Sequence, residues 1–272
     1  MKRVIYTFLI IFIAAGAFAQ SSTDSVKTTT DSVKVKRKRI RVTFGNDVAK
    51  TNKSEPDTVY HASKAPGFSF GLTFTRFDIG LTALNDNGSF TLSPVNQVLN
   101  YRSWRTSYIG FDVLQIGYRF SSSFRIYAAG GFDWTNIRLR KSGTFLRDAP
   151  VLTFVPDNVN YDVNRLSATY IRVPLSFDFR THDDADGRRF HIVVGPELGV
   201  LIGSRIKQKS GQNGDLKLGG DYHFTKFRYG AVARVGYGAI GLFAKYYANN
   251  MFDNSPAQDG LRQFAFGLSV GW

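Results

Sequence analysis

Cysteine is absent from the 272 residues, which excludes disulfide frameworks, thiol catalysis, cysteine metal clusters and lipid attachment at an N-terminal cysteine. Long apolar runs are scarce too. Beyond one stretch at the N-terminus nothing approaches the ~20 residues of a membrane-crossing helix, and mean hydropathy is slightly negative, at -0.17. Hydropathy by itself would place the chain in water. Histidines number four, and no metal-ligand spacing, phosphate-cradling glycine loop or cofactor fingerprint accompanies them. No cofactor, metal or catalytic residue is assigned. A hydrolase or acyltransferase would need a histidine beside a serine and a carboxylate. Ser210 with His223 and Asp221 is the grouping that could supply them, although serine and aspartate are common loop residues in any case.

Acidic residues are outnumbered, 21 against 35 lysines and arginines, for a formal net charge of +14. Lys2 and Arg3 precede the apolar run Val4 to Ala17, and Ala17-Phe18-Ala19 stands before Gln20 as a small-residue cleavage site. Residues 1–19 therefore read as a secretory signal, whose removal leaves +12. An exported basic chain meets phosphate as lipid headgroups and lipopolysaccharide, so nucleic acid is excluded as a partner. Residues 20–66 form a separate basic, low-complexity segment. They carry TDSVK at 23–27 and again at 30–34, the run KVKRKRIR at 34–41, and few large apolar residues. This segment is expected to be a disordered periplasmic arm, either touching the cell wall or acting as a solvated linker. Residues 33–44 could also add a short strand.

From Gly67 the composition changes. Aromatics make up 15% of the chain and glycines number 26, a mixture suited to strands. Eight strand-like runs fall near 67–81, 104–120, 124–140, 166–180, 189–206, 224–238, 240–249 and 261–272. Their connections alternate. Long ones lie at 82–103, 141–165, 207–223 and 250–260, short ones at 121–123, 181–188 and Ala239. Long loops at one end and tight turns at the other are the rhythm of an up-and-down barrel in an outer membrane.

The strand faces sharpen this reading. Ile171, Val173, Leu175, Phe177 and Phe179 share one side of their run, while Arg172, Ser176, Asp178 and Arg180 share the other. Phe190, Ile192, Val194, Pro196, Leu198, Val200 and Ile202 oppose His191, Glu197 and Arg205. Ala231, Ala233 and Val235 oppose Arg228 and Arg234, and Leu242 and Ala244 oppose Lys245. Alternation also fits a soluble sandwich with its apolar face inward. The export signal, the alternating loops and the rings Phe120, Phe124, Phe190 and Trp272 at the turn side favour lipid outside and charge inside. In the first run the apolar series moves from Phe68, Phe70, Leu72 and Phe74 to Phe77, Ile79 and Leu81. A similar change follows Trp134 at Ile137 and Leu139, and both are read as bulges near the outer rim. In the second run Ile109, Phe111 and Val113 give way to Leu114, Ile116 and Tyr118.

YIRVPLSF at 170–177, FHIVVGPELGVLI at 190–202, GAVARVGYGAIGLFAKYY at 230–247 and FAFGLSVGW at 264–272 together resemble the small outer-membrane β-barrel domain family, often labelled porin family. The resemblance covers about the last two hundred residues. It leaves the basic arm outside the domain pattern and implies a barrel without implying an activity. The terminal strand also looks like the signal read by the outer-membrane assembly machinery, with Phe264, Phe266, Leu268, Val270 and Trp272 at alternate positions.

The expected architecture is thus all-β: a transmembrane up-and-down antiparallel barrel of about eight strands over 67–272, in the bacterial outer membrane. A barrel of that size has an interior just wide enough to be filled by side chains. Asp133, Arg172, Glu197 and Arg234 are expected to form a lumen ladder of alternating sign, serving structural pairing or a proton or ion path. Arg138, Arg140, Lys141, Arg205, Lys207 and Lys209 are expected to form a basic collar at headgroup height, meeting lipopolysaccharide phosphates or carrying ordinary loop charge. The expected function is non-enzymatic: a monomer with a structural or surface-interaction role through its long loops, its lumen plugged. The alternatives are a narrow porin-like channel or transporter and a barrel lipid hydrolase or acyltransferase.

Overall fold

The computed structural model describes residues 66–182, 184 and 188–271, without the side chains of residues 73–75. The expected signal, the arm up to residue 65 and Trp272 lie outside the described residues. Among the described residues eleven strands follow in order: β1 (Gly67–Asp86), β2 (Ser107–Arg119), β3 (Phe124–Arg138), β4 (Gly143–Phe145), β5 (Phe154–Pro156), β6 (Val163–Arg180), β7 (Phe190–Ser210), β8 (Gly214–Gly219), β9 (Phe227–Tyr237), β10 (Ile240–Tyr247) and β11 (Leu261–Val270). No helix among the described residues is long and apolar enough to cross a membrane, which says nothing of strands.

Eight of these strands correspond to the eight expected runs and close into a ring, β1-β2-β3-β6-β7-β9-β10-β11, with β11 paired back onto β1. All pairings are antiparallel. The ring is staggered, as closure of tilted strands requires. Following paired residues from Phe68 through Tyr118, Ile126, Phe177, Val194, Ala233, Ala244 and Phe266 returns to β1 at Leu81, well above the start. The remaining strands lie in connections expected to be loops. β4 and β5 form a small hairpin, and β8 folds back on the far end of β7.

Three phase changes occur along the ring. In β1 the register shifts between Leu72 and Arg76, opposite a shift in β2 between Asp112 and Leu114. This accounts for the two apolar series of the first and second runs. The β1 shift lies toward the short-turn end, where Gly67 pairs with Arg119, and not at the rim. In β7 Ile202 is extra: Thr169 pairs with Gly203, but Tyr170 pairs with Leu201. β3 has no bulge. Its register against β6 runs unbroken, and Asp133, Thr135, Ile137 and Leu139 all face inward. The expected switch after Trp134 is a change in what fills the interior, from polar to apolar, on an unchanged face.

That apolar filling is a second structural layer at the long-connection end. Inward-facing Leu84, Ile137, Leu166, Ile206 and Leu261 pack with Leu99, Phe145, Leu152, Tyr222, Phe224, Met251 and Phe252 from the four long connections. The connections are also stitched to one another. Phe224 bridges to Phe252, Leu152 N donates to Ser255 Oγ at 3.1 Å, and His223 Nε2 lies 2.7 Å from the Ala149 carbonyl. This end of the ring is therefore filled by an apolar core like that of a soluble protein, built from strand ends and connections together.

Asp86, at the end of β1, anchors the first of these connections. Its Oδ2 accepts from Ser93 N at 2.7 Å and Asn96 Nδ2 at 2.9 Å. Burial opposes its ionisation, but the bonds from Asn96 and Ser93 outweigh this and hold its carboxyl below the usual range. A depressed carboxylate contributes stability above its unfolded pKa and loses it as pH falls through the folded value. Acidification below about pH 4 is expected to expose the 87–106 connection to an acid-active protease before the barrel unfolds. Asp86→Asn should expose it already at neutral pH.

Candidate functional site

Below this apolar core the interior is charged. Among the described residues, Asp78, Asp112, Asp133, Asp178 and Glu197 face Arg76, Arg172, Arg228, Arg234 and Lys245, every one of them at most 4% exposed. The strand period dictates this: on β6, β7, β9 and β10 the charged positions alternate with Ile171, Val173, Val194, Leu198, Val235 and Leu242, which are exposed on the outside.

Asp78 is the hub. Its carboxylate accepts from Arg172 Nη1 at 3.0 Å, Arg234 Nη2 at 2.8 Å and Ser269 Oγ at 2.8 Å, with Lys245 Nζ at 3.4 Å. Glu197 takes Lys245 at 3.0 Å and the Tyr247 hydroxyl at 2.7 Å. Asp112 faces Arg172 Nη2 at 2.8 Å and Arg76 at 3.3 Å. Asp133 pairs with Arg228 and accepts from the Tyr108 hydroxyl at 3.1 Å. The Arg228 guanidinium lies 3.7 Å and 4.0 Å from the ring centroids of Tyr170 and Tyr247. Near the short turns Asp178 gathers Arg125 at 2.9 Å, Arg180 at 2.8 Å and His191 at 3.4 Å.

Glycine makes room for two of these cations. A Cβ on Gly199 would come within 2.9 Å of Arg228 Cγ, and one on Gly110 within 3.3 Å of Arg172 Cζ. A cavity of about 10 Å³ between Tyr170, Arg228, Tyr247, Met251 and Gln263 has space for about one water.

All four residues of the expected ladder face inward and are buried. Of the four, Arg172 and Glu197 come together, at 3.4 Å. Asp133 turns instead to Arg228, and Arg234 to Asp78. The arrangement is a web and not a stack of rungs, because strand tilt offsets neighbouring levels: Arg172 lies opposite Gly131 and Gly199. Asp78 and Asp112 join the web from outside the expected ladder. They lie on the strands whose phase shifts at Leu72/Arg76 and Asp112/Leu114, and a consistent inward series on β1 after the shift, Arg76 and Asp78, was the signal available.

The collar residues lie at the long-connection end. Arg138 stands opposite Arg165, and Arg165 opposite Lys207. Arg140 Nε donates to the Tyr101 carbonyl at 2.9 Å, and Lys141 and Lys209 are exposed. Arg205, expected on the lumen face by simple alternation, is exposed, because the extra residue Ile202 reverses the face of β7. On β11, Phe264, Phe266, Leu268 and Val270 alternate with the inward Gln263, Ala265 and Ser269. The hydrolase grouping is not assembled. Ser210 Oγ accepts from Asn213 N at 3.0 Å, His223 Nε2 is held at the Ala149 carbonyl, and Asp221 accepts from the His223 backbone N–H.

An apolar band is edged at the short-turn end by Tyr118, Phe120, Phe124 and Phe179 in a chain of ring contacts at 4.8, 5.5 and 5.1 Å. Toward the other end Phe111 stacks on Trp134 at 5.4 Å, and Phe264 contacts Phe90 and Phe266 at 5.8 and 5.7 Å. A closed ring with charge inside, hydrocarbon-compatible side chains outside and rings at the margins is a membrane-spanning β-barrel.

The chain belongs to the outer membrane protein beta-barrel domain family, whose model matches residues 18–253, and its place is the bacterial outer membrane. The matched stretch begins well before Gly67, so it takes in the segment expected to stand outside the domain pattern, and it ends before β11. Two crystal structures of Ail, the attachment invasion locus protein of Yersinia pestis, are similar, the first in complex with the heparin analogue sucrose octasulfate. Identity is 14% and 10%, coverage 76% of this chain and 98% and 97% of theirs, and the TM-score 0.31 and 0.30. At those scores the family rests on the family model alone. No curated protein matches.

A carboxylate shared by three buried cations is costly to remove, since each cation loses its compensation out of reach of water. Asp78→Asn is expected to lower stability by about 3–5 kcal/mol, read as an earlier thermal midpoint in detergent. Glu197→Gln should also melt early, and an unchanged midpoint in both variants would refute the web as a structural element.

Proposed function

We propose that the protein is a non-enzymatic, non-conducting outer-membrane barrel with a structural or surface-interaction role, its four long connections facing outside the cell and its short turns the periplasm. The observation that carries this reading is the double filling of the interior: a web of opposed charges through the membrane-level portion and an apolar core at the long-connection end. A permeation path would need both to move. Within the web, Asp78, Asp112, Asp133, Asp178 and Glu197 balance Arg76, Arg172, Arg228, Arg234 and Lys245, which supports pairing and gives no excess of one sign to select an ion.

Residues 1–19 fit an export signal and 20–66 a periplasmic arm. The alternating Phe264, Phe266, Leu268 and Val270, with Trp272, fit recognition by the assembly machinery. The barrel is read as a monomer, since closure leaves no strand of the ring unpaired over its shared length. A lipid hydrolase would need a serine, a histidine and a carboxylate in mutual contact at a rim, and the bonds of Ser210 and His223 point elsewhere.

Reconstituted into planar bilayers, the wild-type protein is expected to give no discrete conductance steps at moderate voltage. Stable single-channel openings that survive a check for contaminating porins would overturn the reading in favour of the channel.

A further inference from the structure

Arg138 on β3, Arg165 on β6, Lys207 on β7 and Lys217 on β8 are direct neighbours across four adjacent strands. Like charges placed opposite one another destabilise a sheet, so a row of four is not explained by folding. Counter-charge within the fold is thin. Lys207 reaches the Asp215 carboxylate at 3.2 Å, Arg138 donates to the Asp162 carbonyl, and Arg165 Nε is out of water with no hydrogen-bond partner. Two more cations, Arg102 and Arg105, stand beside the row. Burial, then the positive fields of Arg105, Arg102 and Arg165, lower the pKa of the Arg138 guanidinium, and the field of the Asp162 carboxylate only partly opposes them. Lys217 lies on a sheet edge, where lysine is a common guard against strand addition. That explanation does not reach Arg138 and Arg165, which sit on interior strands.

Position narrows the occupant. Four residues below Arg138 on the same face of β3 is Trp134, in the aromatic margin of the apolar band. Trp104, which lies between Arg102 and Arg105 in the chain, is 88% exposed, as suits an indole at a membrane interface. The basic row therefore begins where the lipid-facing surface ends. We propose that this row is a docking surface for the phosphates of a lipopolysaccharide-type lipid, whose acyl chains lie on the apolar band directly beneath. The proposal rests on the long connections facing outward. It narrows the expected six-residue collar to a row defined by strand pairing, adding Arg165 and Lys217, which the residue pattern had not singled out.

The test uses the full-length protein purified in detergent, titrated with lipopolysaccharide and followed by native mass spectrometry and by the thermal midpoint. The wild type is expected to retain bound lipid and to melt later with it. Arg138→Gln, Arg165→Gln and Lys217→Gln should each weaken binding about tenfold, while Arg165→Lys, which keeps the charge, loses less. Without lipid the Gln variants should melt at the same temperature or later, since repulsion is relieved; that separates lost binding from lost folding. Unchanged affinity in the triple Gln variant would overturn the proposal. Equal binding of dephosphorylated lipid would overturn it too, and so would full competition by a soluble sulfated polysaccharide, which would make the partner a free polyanion. Failure of the outward orientation registers separately, as long connections that a protease added to whole cells does not reach.

Discussion

In hydrocarbon a backbone amide has no water to turn to, so every strand that crosses must be paired on both sides. The pairing of β11 with β1 meets that demand, and the rest of the molecule follows from it. Once the sheet is a closed cylinder, the period of two assigns every side chain to lipid or to lumen. A one-residue insertion exchanges the two along the remainder of a strand. The bulges in β1, β2 and β7 are therefore consequential: each decides which residues above it face inward. Ile202 is the clearest case, since its insertion brings Arg205, Lys207 and Lys209 to the outside and Ile206 and Gln208 to the inside.

The interior is filled in two ways, and the difference is physical. At membrane level the lumen is narrow and walled by backbone, so long charged side chains occupy it and neutralise one another. Such pairs contribute little net stability, because desolvation offsets their attraction, yet they are costly to break singly. Beyond the membrane the connections can fold over the opening, and there the filling is apolar, stabilised by burial as in a soluble domain. The boundary runs through Tyr170, Arg228, Tyr247 and Gln263. Stacking of Arg228 between two tyrosine rings joins the charged layer to the aromatic edge of the apolar core.

Much of this was legible in the residues. Alternation in β6, in β7 as far as Val200, and in β9, β10 and β11 marked five of the eight crossings and their inward charges, and the loop rhythm marked the two ends. Three things were not legible. The inward set of β1 and β2 was hidden by register shifts, so Asp78 and Asp112 were missed. The change from polar to apolar filling in β3 mimicked a bulge, because periodicity reports which face a residue takes and not what it meets there. The strands β4, β5 and β8 are short, and their partners are fixed by tertiary contact, so neither period nor turn chemistry announced them. Cross-strand neighbours such as Arg138 and Arg165 are separated by 27 positions in the chain and become a pair through register alone.

The position of Asp78 gives the web a role that simple space-filling does not explain. Asp78 lies on β1, and its partners come from β6, β9, β10 and β11: Arg172, Arg234, Lys245 and Ser269. The β1–β11 contact joins residues at opposite ends of the chain, the most non-local pairing in the ring, and long-range pairing carries the largest loop-closure cost. Backbone hydrogen bonds are the same at every strand pair and cannot favour that one over a displaced register. Four side chains converging on one carboxylate can, because a slip of one residue would turn Asp78 toward lipid and leave three cations facing each other. Closure and register thus depend on the same carboxylate, and the strand that begins the cylinder carries the group that recognises its end.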